Sequence, residues 1–371
     1  MRWGTAAVVA AAAAGTGVAV LALGRRVSER AVHPGAGGAP KGAAQVRVTG
    51  LAAGRVTLTR TPQSARPGRY ALEWGADGHA VVGDVLQSSP QGVTRRLERA
   101  DGAPEPGTAV RLTPRVYRGD PGTALGLPFI ETAANGEGGA LPAWYVDGKR
   151  GIWVLLVHGP GADREQTLCA MPQLARLGLP VLSVTYRGDE GAPASPDGLG
   201  HFGETEWRDV EAAVRLALDS GAGRVVLYGW SLGATMALQT AARSTWASAV
   251  SGLILDSPVL DWPATVRRQA TGAGVSAPLA ALGALAAEGR SKVDLAGFAR
   301  LAEGTDLQVP TLVLHSPADA VAPWQAAARL GERRADLVTL RPVPGAEHAA
   351  LWNADPGGYE ESLRRFLTPL L

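Results

Sequence analysis

Residues 225–238, VVLYGWSLGATMAL, decide how the rest of the chain is read. An apolar run from Val225 to Tyr228 climbs into Gly229-Trp230-Ser231-Leu232-Gly233, and small helix-forming residues follow. The spacing predicts a buried strand, a tight turn and the start of a helix. A serine flanked by glycines on such a strand-to-helix turn is strained, with its hydroxyl raised above the sheet. Glycine on either side lets the backbones approach closely. Ser231 also lies near a helix N-terminus, whose dipole favours developing negative charge. A sharp corner with no chemistry would use similar residues, so the meaning depends on what else reaches the serine.

A serine hydroxyl needs a base to act as a nucleophile. His348, in VPGAEHAALW just beyond the last predicted strand, can swing over the sheet to meet Ser231. Its imidazole then needs an acid that fixes its tautomer and stabilises the imidazolium. Asp319, in HSPADAVAP after the strand predicted at 311–315, supplies one, and the chain order Ser, Asp, His is the one such turns carry. Asp256, in LILDSPVLDW, also ends a strand and is the alternative acid; otherwise it braces the next loop. Without a catalytic part, Asp319 would cap a helix beginning near Val321. Trp230 and His201, the latter in the polar loop DGLGHFGETEW, are candidates to line a pocket. His158 reads as a structural loop residue, and His315 as a residue in or beside the sheet. Arg187 would pair with Glu204 or Asp209 as scaffold.

Outward from this stretch, FIETAA, LPAWYVDG, IWVLLVHG, PVLSVTYRG, RVVLYGWS, GLILDSP, TLVLHSPAD and DLVTLRPVPGAEH predict eight strands. Most are continuous apolar runs, as expected of parallel strands covered on both faces. Helical sequence lies between several of them, EWRDVEAAVRLALDSG at 206–221 being the clearest. The predicted class is α/β, a mostly parallel eight-stranded sheet with helices on both faces, over residues 126–371. An Ala/Gly-rich stretch at 262–303 breaks the alternation and is expected to cap the sheet edge where a pocket would lie. Before it, six short alternating runs at 45–125 predict a small β-rich domain of half-buried strands.

The first residues have another texture. Residues 3–24 carry no charge, and Arg25, Arg26 and Arg30 follow. About 20 residues at 1.5 Å each span roughly 30 Å, a bilayer core. A single-pass membrane anchor is therefore expected at 1–24 and a Pro/Gly/Ala-rich flexible linker at 25–44. The cell membrane would be a partner, and its side is left open. The alternative is a cleaved secretory signal ending at Ala22-Leu23-Gly24, which makes the protein secreted. A formal net charge of +2, from 36 basic and 34 acidic residues, offers no basic stripe for nucleic acid. A single cysteine, Cys169, makes neither an internal disulfide nor a metal cluster.

VHG at 157–159, YRG at 186–188, GWSLG at 229–233, PAD ending at 319 and VPGAEH at 343–348 together resemble the α/β-hydrolase superfamily, in its branch of serine esterases, lipases and aminopeptidase-like hydrolases. The nearest resemblance is to membrane-anchored hydrolases of actinobacteria. It implies Ser231 as nucleophile, Asp319 as acid and His348 as base. It also implies an oxyanion hole made by the N–H after the nucleophile, that of Leu232, and by one in the loop after His158-Gly159. The next residue there is Pro160, which has no N–H, so Gly161 is the expected second donor. The expected activity is hydrolysis of an ester, thioester or amide of a small-molecule or lipid-like acyl substrate, through an acyl-enzyme and with no cofactor or metal. Two alternatives stand beside it. One is a serine aminopeptidase-like peptidase, which would hold a substrate amino terminus with an acidic pair. The other is a non-catalytic, membrane-tethered scaffold on the same fold, motivated by Pro160.

Overall fold

The computed structural model describes residues 45–102, 104–291, 293 and 298–371. The six alternating runs form β1 (Val46–Ala52), β2 (Arg55–Leu58), β3 (Tyr70–Trp74), β4 (Gly78–Ser89), β5 (Gly92–Asp101) and β6 (Ala109–Thr113). Each pairs antiparallel with its neighbours in the order β1-β2-β5-β4-β3-β6, and β1 pairs with β6 to close a barrel. Closure removes the free edges a small sheet would expose. Val48, Val56, Leu58, Leu72, Val82 and Val110 are buried together in its core.

The eight later runs form β7 (Ile130–Gly136), β8 (Gly139–Val146), β9 (Ile152–Val157), β10 (Val181–Val184), β11 (Arg224–Trp230), β12 (Val250–Asp256), β13 (Thr311–His315) and β14 (Val338–Pro342). They lie in one sheet, ordered β14-β13-β12-β11-β9-β10-β8-β7. The six from β10 to β14 across the sheet are parallel, and β8 is antiparallel to both β10 and β7. Every residue of β9, β10 and β13 is buried, because helices cover both faces. On one face Val210, Ala213 and Ala237, from helices Trp207–Asp219 and Leu232–Arg243, share a core with Leu155, Leu227 and Val313. On the other, Leu174, Tyr359 and Leu363, from helices Met171–Arg176 and Pro356–Leu367, pack with Val154, Val226 and Ile254. The stretch expected as a cap holds helices Trp262–Gly272, Ala277–Ser291 and Phe298–Glu303, between β12 and β13. The α/β-hydrolase fold with a preceding β-rich unit is thus the architecture found.

Strand order places the site. The chain passes from β9 to β10 on one side, then crosses back to β11 on the other. The loops after β9 and β11 therefore part at the carboxyl ends of the strands, the place where sheets of this kind receive ligands.

The membrane part of the expectation needs correcting. Among the described residues no helix is long and apolar enough to cross a membrane. The longest, Ala277–Ser291, has 15 residues, about 22 Å of helix against a bilayer core of roughly 30 Å. The anchor at 1–24, the linker at 25–44 and the cleavage site lie outside the described residues. The transmembrane helix, the membrane as a partner, single-pass localisation and the likeness to membrane-anchored hydrolases all rested on that segment, and no described element supports them.

The helix after β11 starts so close to β9 that a Cβ on Gly233 would stand 2.1 Å from the Val157 carbonyl oxygen. That atom is backbone and cannot rotate away. Gly233→Ala should therefore lower the thermal unfolding midpoint, by overpacking worth roughly 1–3 kcal/mol. A melt followed by circular dichroism checks this, and an unchanged midpoint contradicts it.

Candidate active site

Ser231 caps helix Leu232–Arg243 with φ 53° and ψ −113°. Left-handed backbone at a residue other than glycine costs on the order of 1–3 kcal/mol and persists only where the surroundings impose it. Here the crowded start of the helix imposes it, and the Ser231 N–H donates to the Asp256 carbonyl at 2.9 Å. The side chain is almost fully buried, and its Oγ lies 2.8 Å from His348 Nε2. The other ring nitrogen, Nδ1, is 2.8 Å from Asp319 Oδ2. A carboxylate only accepts, so Nδ1 carries the ring proton and Nε2 accepts from the serine hydroxyl.

Asp319 follows β13, and His348 lies in the loop after β14. Asp319 Oδ1 accepts from the N–H groups of Val321 and Ala322 at 2.7 and 2.9 Å. His315 Nε2 stands 3.3 Å from Oδ2. Burial alone would raise the Asp319 carboxyl. Hydrogen bonds from His348 and the backbone N–H of Val321, with His315 close by, overcome it and hold the carboxyl well below the usual carboxylate range. The contact from His315 was not foreseen. Its only signal in the sequence is the spacing His315-x-x-x-Asp319 across a strand end.

Asp256, the alternative acid, faces elsewhere. Its Oδ1 accepts from Ser257 Oγ at 2.8 Å and its Oδ2 from the Tyr359 hydroxyl at 2.7 Å. The Tyr228 hydroxyl contacts that of Tyr359. Ser257 Oγ in turn accepts from the Ala349 N–H at 3.0 Å. The carbonyl and side chain of Asp256 thus tie the serine turn to the residue after His348. Tyr359 is a second contact that sequence spacing could not reveal, since it lies more than 100 positions away in the chain.

The turn after β9 comes within reach of the serine: a Cβ on Gly159 would stand 3.2 Å from Ser231 Cβ. The Gly159 N–H donates to Gln166 Oε1 at 2.7 Å, and that of Ala162 to the Gly159 carbonyl at 3.3 Å. Pro160 has no N–H, which leaves Gly161 as the turn's donor with no acceptor among the described residues. The Leu232 N–H sits at the first helical position, where no intrahelical acceptor exists.

The other expected residues lie apart from this cluster. Trp230 is 1% exposed and stacks on Tyr228 at 4.1 Å, inside the core. His201 Nε2 is 3.2 Å from Asp197 Oδ2, and its N–H donates to Glu206. Its neighbour Gly203 faces Leu232, Thr235 and Met236 on the helix after the serine. His158 holds its turn through the Gly159 carbonyl and Asp189 Oδ2, both at 2.9 Å. Arg187 pairs with Asp209, at 2.6 and 2.8 Å, and Glu204 pairs with Arg243 instead. Burial pushes the Cys169 thiol up, away from reactivity. Among the described residues no cluster of three or more His, Cys, Asp or Glu could hold a metal ion.

A family model described as "Alpha/beta hydrolase family" matches residues 154–366, more than half of the chain. The chain belongs to the alpha/beta hydrolase family. A second model, a domain of unknown function (DUF8805), matches residues 46–113, the barrel strands. No curated protein matches the chain. Among solved structures, an esterase of Pyrococcus furiosus is similar at TM-score 0.57 and 17% identity, over 68% of this chain and 94% of its own. A second crystal form of that esterase gives 0.54 at 18% identity, over 68% and 94%. Est1E of Butyrivibrio proteoclasticus, with ferulic acid bound, gives 0.50 at 15% identity, over 64% and 98%. Likeness at such identities shows the fold. The family membership carries the coarse expectation of a hydrolase.

Burial pushes the Asp256 carboxyl up to about 6, against the hydrogen bonds from Tyr359 and Ser257 that pull it down. The folded state then holds an extra proton between the ordinary carboxylate pKa and about 6, so this group's contribution to stability falls as pH rises through that window. Asp256→Asn lacks the contribution. The difference in unfolding free energy, wild type minus variant, should fall by roughly 2–3 kcal/mol between about pH 4 and pH 6 and then stay level. Denaturant melts across that range measure it, and a difference independent of pH contradicts it.

Proposed function

We propose that the protein is a serine hydrolase that cleaves carboxylic esters, or thioesters or amides, through an acyl-enzyme on Ser231. The observation that carries the reading is the relay of two 2.8 Å contacts, hydroxyl to imidazole and imidazole to carboxylate. In this mechanism His348 Nε2 takes the Ser231 proton as Oγ attacks the carbonyl carbon. Asp319, held ionised, stabilises the imidazolium. The carbonyl oxygen becomes an oxyanion, and the Leu232 and Gly161 N–H groups are its donors. The imidazolium then protonates the leaving alkoxide, and the C–O bond breaks. Water, deprotonated by His348, attacks the acyl-enzyme and releases acid and free Ser231.

Pro160 does not abolish such a site, because the N–H that its ring removes is replaced one residue later. Gln166 supports that assignment, since its side chain pins the start of the turn by accepting from Gly159. Esters are the favoured bond, as an alkoxide leaves more readily than an amide anion, whose nitrogen must be protonated before it departs. In this reading helix Trp262–Gly272 borders the substrate site. Trp262 packs against Phe202 at 4.7 Å, beside the loop that leans on the helix after Ser231.

A fluorophosphonate probe should label the wild type and leave Ser231→Ala unlabelled. Turnover of a short-chain chromogenic ester should fall on the order of 10³- to 10⁴-fold in Asp319→Asn and at least as far in His348→Gln. Equal labelling of wild type and Ser231→Ala, or full turnover without His348, defeats the proposal.

A further inference from the structure

We propose that the barrel is a positioning element for His348: its β2–β3 loop, residues 59–69, holds the histidine-bearing loop, residues 343–354, in register with Ser231 and Asp319. The proposal rests on the triad reading above and assigns a task to the barrel.

The histidine loop needs outside support. Ala349, directly after His348, is at φ 53°, and the following helix, Leu351–Ala354, is a single turn. Support comes from the barrel on both sides of the histidine. Before it, Glu347 Oε2 meets Arg66 Nη1 at 2.6 Å. After it, Asn353 clasps Arg69 in both directions. The Arg69 N–H donates to the Asn353 carbonyl at 2.7 Å, and Asn353 Nδ2 donates to the Arg69 carbonyl at 2.8 Å and to that of Pro114 at 3.0 Å. The Arg69 guanidinium lies over Trp352, 5.8 Å from the ring centre. Val81 of β4 shares a buried cluster with Ala346, Leu351 and Trp352.

The barrel loop is itself anchored from inside the barrel. Arg95 of β5 is fully buried. All five of its N–H donors go to backbone carbonyls: Nε and Nη2 to Gly83, Nη1 to Ser64 and Arg66, and Nη2 also to Gly68. Three of those acceptors, Ser64, Arg66 and Gly68, lie on the loop that faces the histidine. A buried cation tolerates loss of such partners poorly, so the loop is held to one shape. Gly68 lies against its target so closely that a Cβ there would stand 2.1 Å from the Asn353 carbonyl oxygen, at φ 101°.

Two perturbations test the proposal without touching the triad. Gly68→Ala drives a wedge between the two loops. Arg66→Glu sets like charges against each other, and Arg66→Glu with Glu347→Arg restores the pair in reverse. The readouts are kcat and KM per fluorophosphonate-titrated site, and the downfield proton NMR signal of His348 Nδ1–H in its bond to Asp319. The proposal expects Gly68→Ala and Arg66→Glu to lower kcat on the order of 10- to 100-fold with KM within about twofold, and to weaken or broaden the NMR signal. The reversed pair should recover both to within about twofold of wild type. Wild-type kcat and an intact signal in both variants overturn it, as does failure of the reversed pair to rescue Arg66→Glu. Should the wild type lack turnover, the triad reading fails instead, and the NMR signal with its rescue still decides whether the barrel positions the imidazole. Gly68→Ala that does not fold leaves the charge-reversal arm to give the same decision.

Discussion

The start of one helix against one carbonyl governs this site. Helix Leu232–Arg243 begins where only glycine clears the Val157 oxygen of β9, and Ser231 is thereby forced into left-handed backbone. Among the described residues four that are not glycine have positive φ: Phe202, Ser231, Ser257 and Ala349. Three of these are tied together at Asp256. Ser231 donates to its carbonyl, Ser257 donates to its carboxylate, and Ala349 donates to Ser257. Strain concentrated this way is held by its surroundings and fixes the hydroxyl and the imidazole relative to each other. The serine turn and the histidine turn are thus one hydrogen-bonded unit built on the end of β12.

Two buried carboxylates next to this unit are driven in opposite directions. Asp319 receives hydrogen bonds from one imidazole and two backbone N–H groups, with a second imidazole 3.3 Å away, and its carboxyl is held low. Among the described residues the Asp256 carboxyl takes its hydrogen bonds from a serine and a tyrosine hydroxyl; these do not offset burial, and it rises to about 6. Environments that push titratable groups apart mark out different tasks for them. Here the separation agrees with geometry: the low carboxylate touches the imidazole, and the high one braces the backbones on either side.

Much of this was legible in the sequence. Strands buried on both faces leave unbroken apolar runs, as in β9, β10 and β13, and all eight predicted runs, the exposed edge runs of β7 and β14 included, hold a strand of the sheet. The serine turn was readable because close packing restricts its neighbours to glycine. Closure of the barrel was not legible, since the pairing of β1 with β6 joins segments some 60 positions apart. Arg95 offered a signal that went unused: it occupies the inward slot between Val93 and Leu97 in an alternating strand. The contacts of His315, Tyr359 and Asn353 arise from elements distant in the chain, and local pattern does not encode them. The apolar run at 3–24 was read by length and charge alone, outside the residues that the structure describes.

The central claim is that convergence at the strand ends makes the Ser231 hydroxyl a nucleophile. Its most direct test is an acid quench of the protein during turnover of a short-chain chromogenic ester, followed by peptide mapping with mass spectrometry. The account predicts an acyl group on the peptide that contains Ser231, localised to its side chain. Ester turnover with Ser231 unmodified and the acyl group on another residue would contradict it.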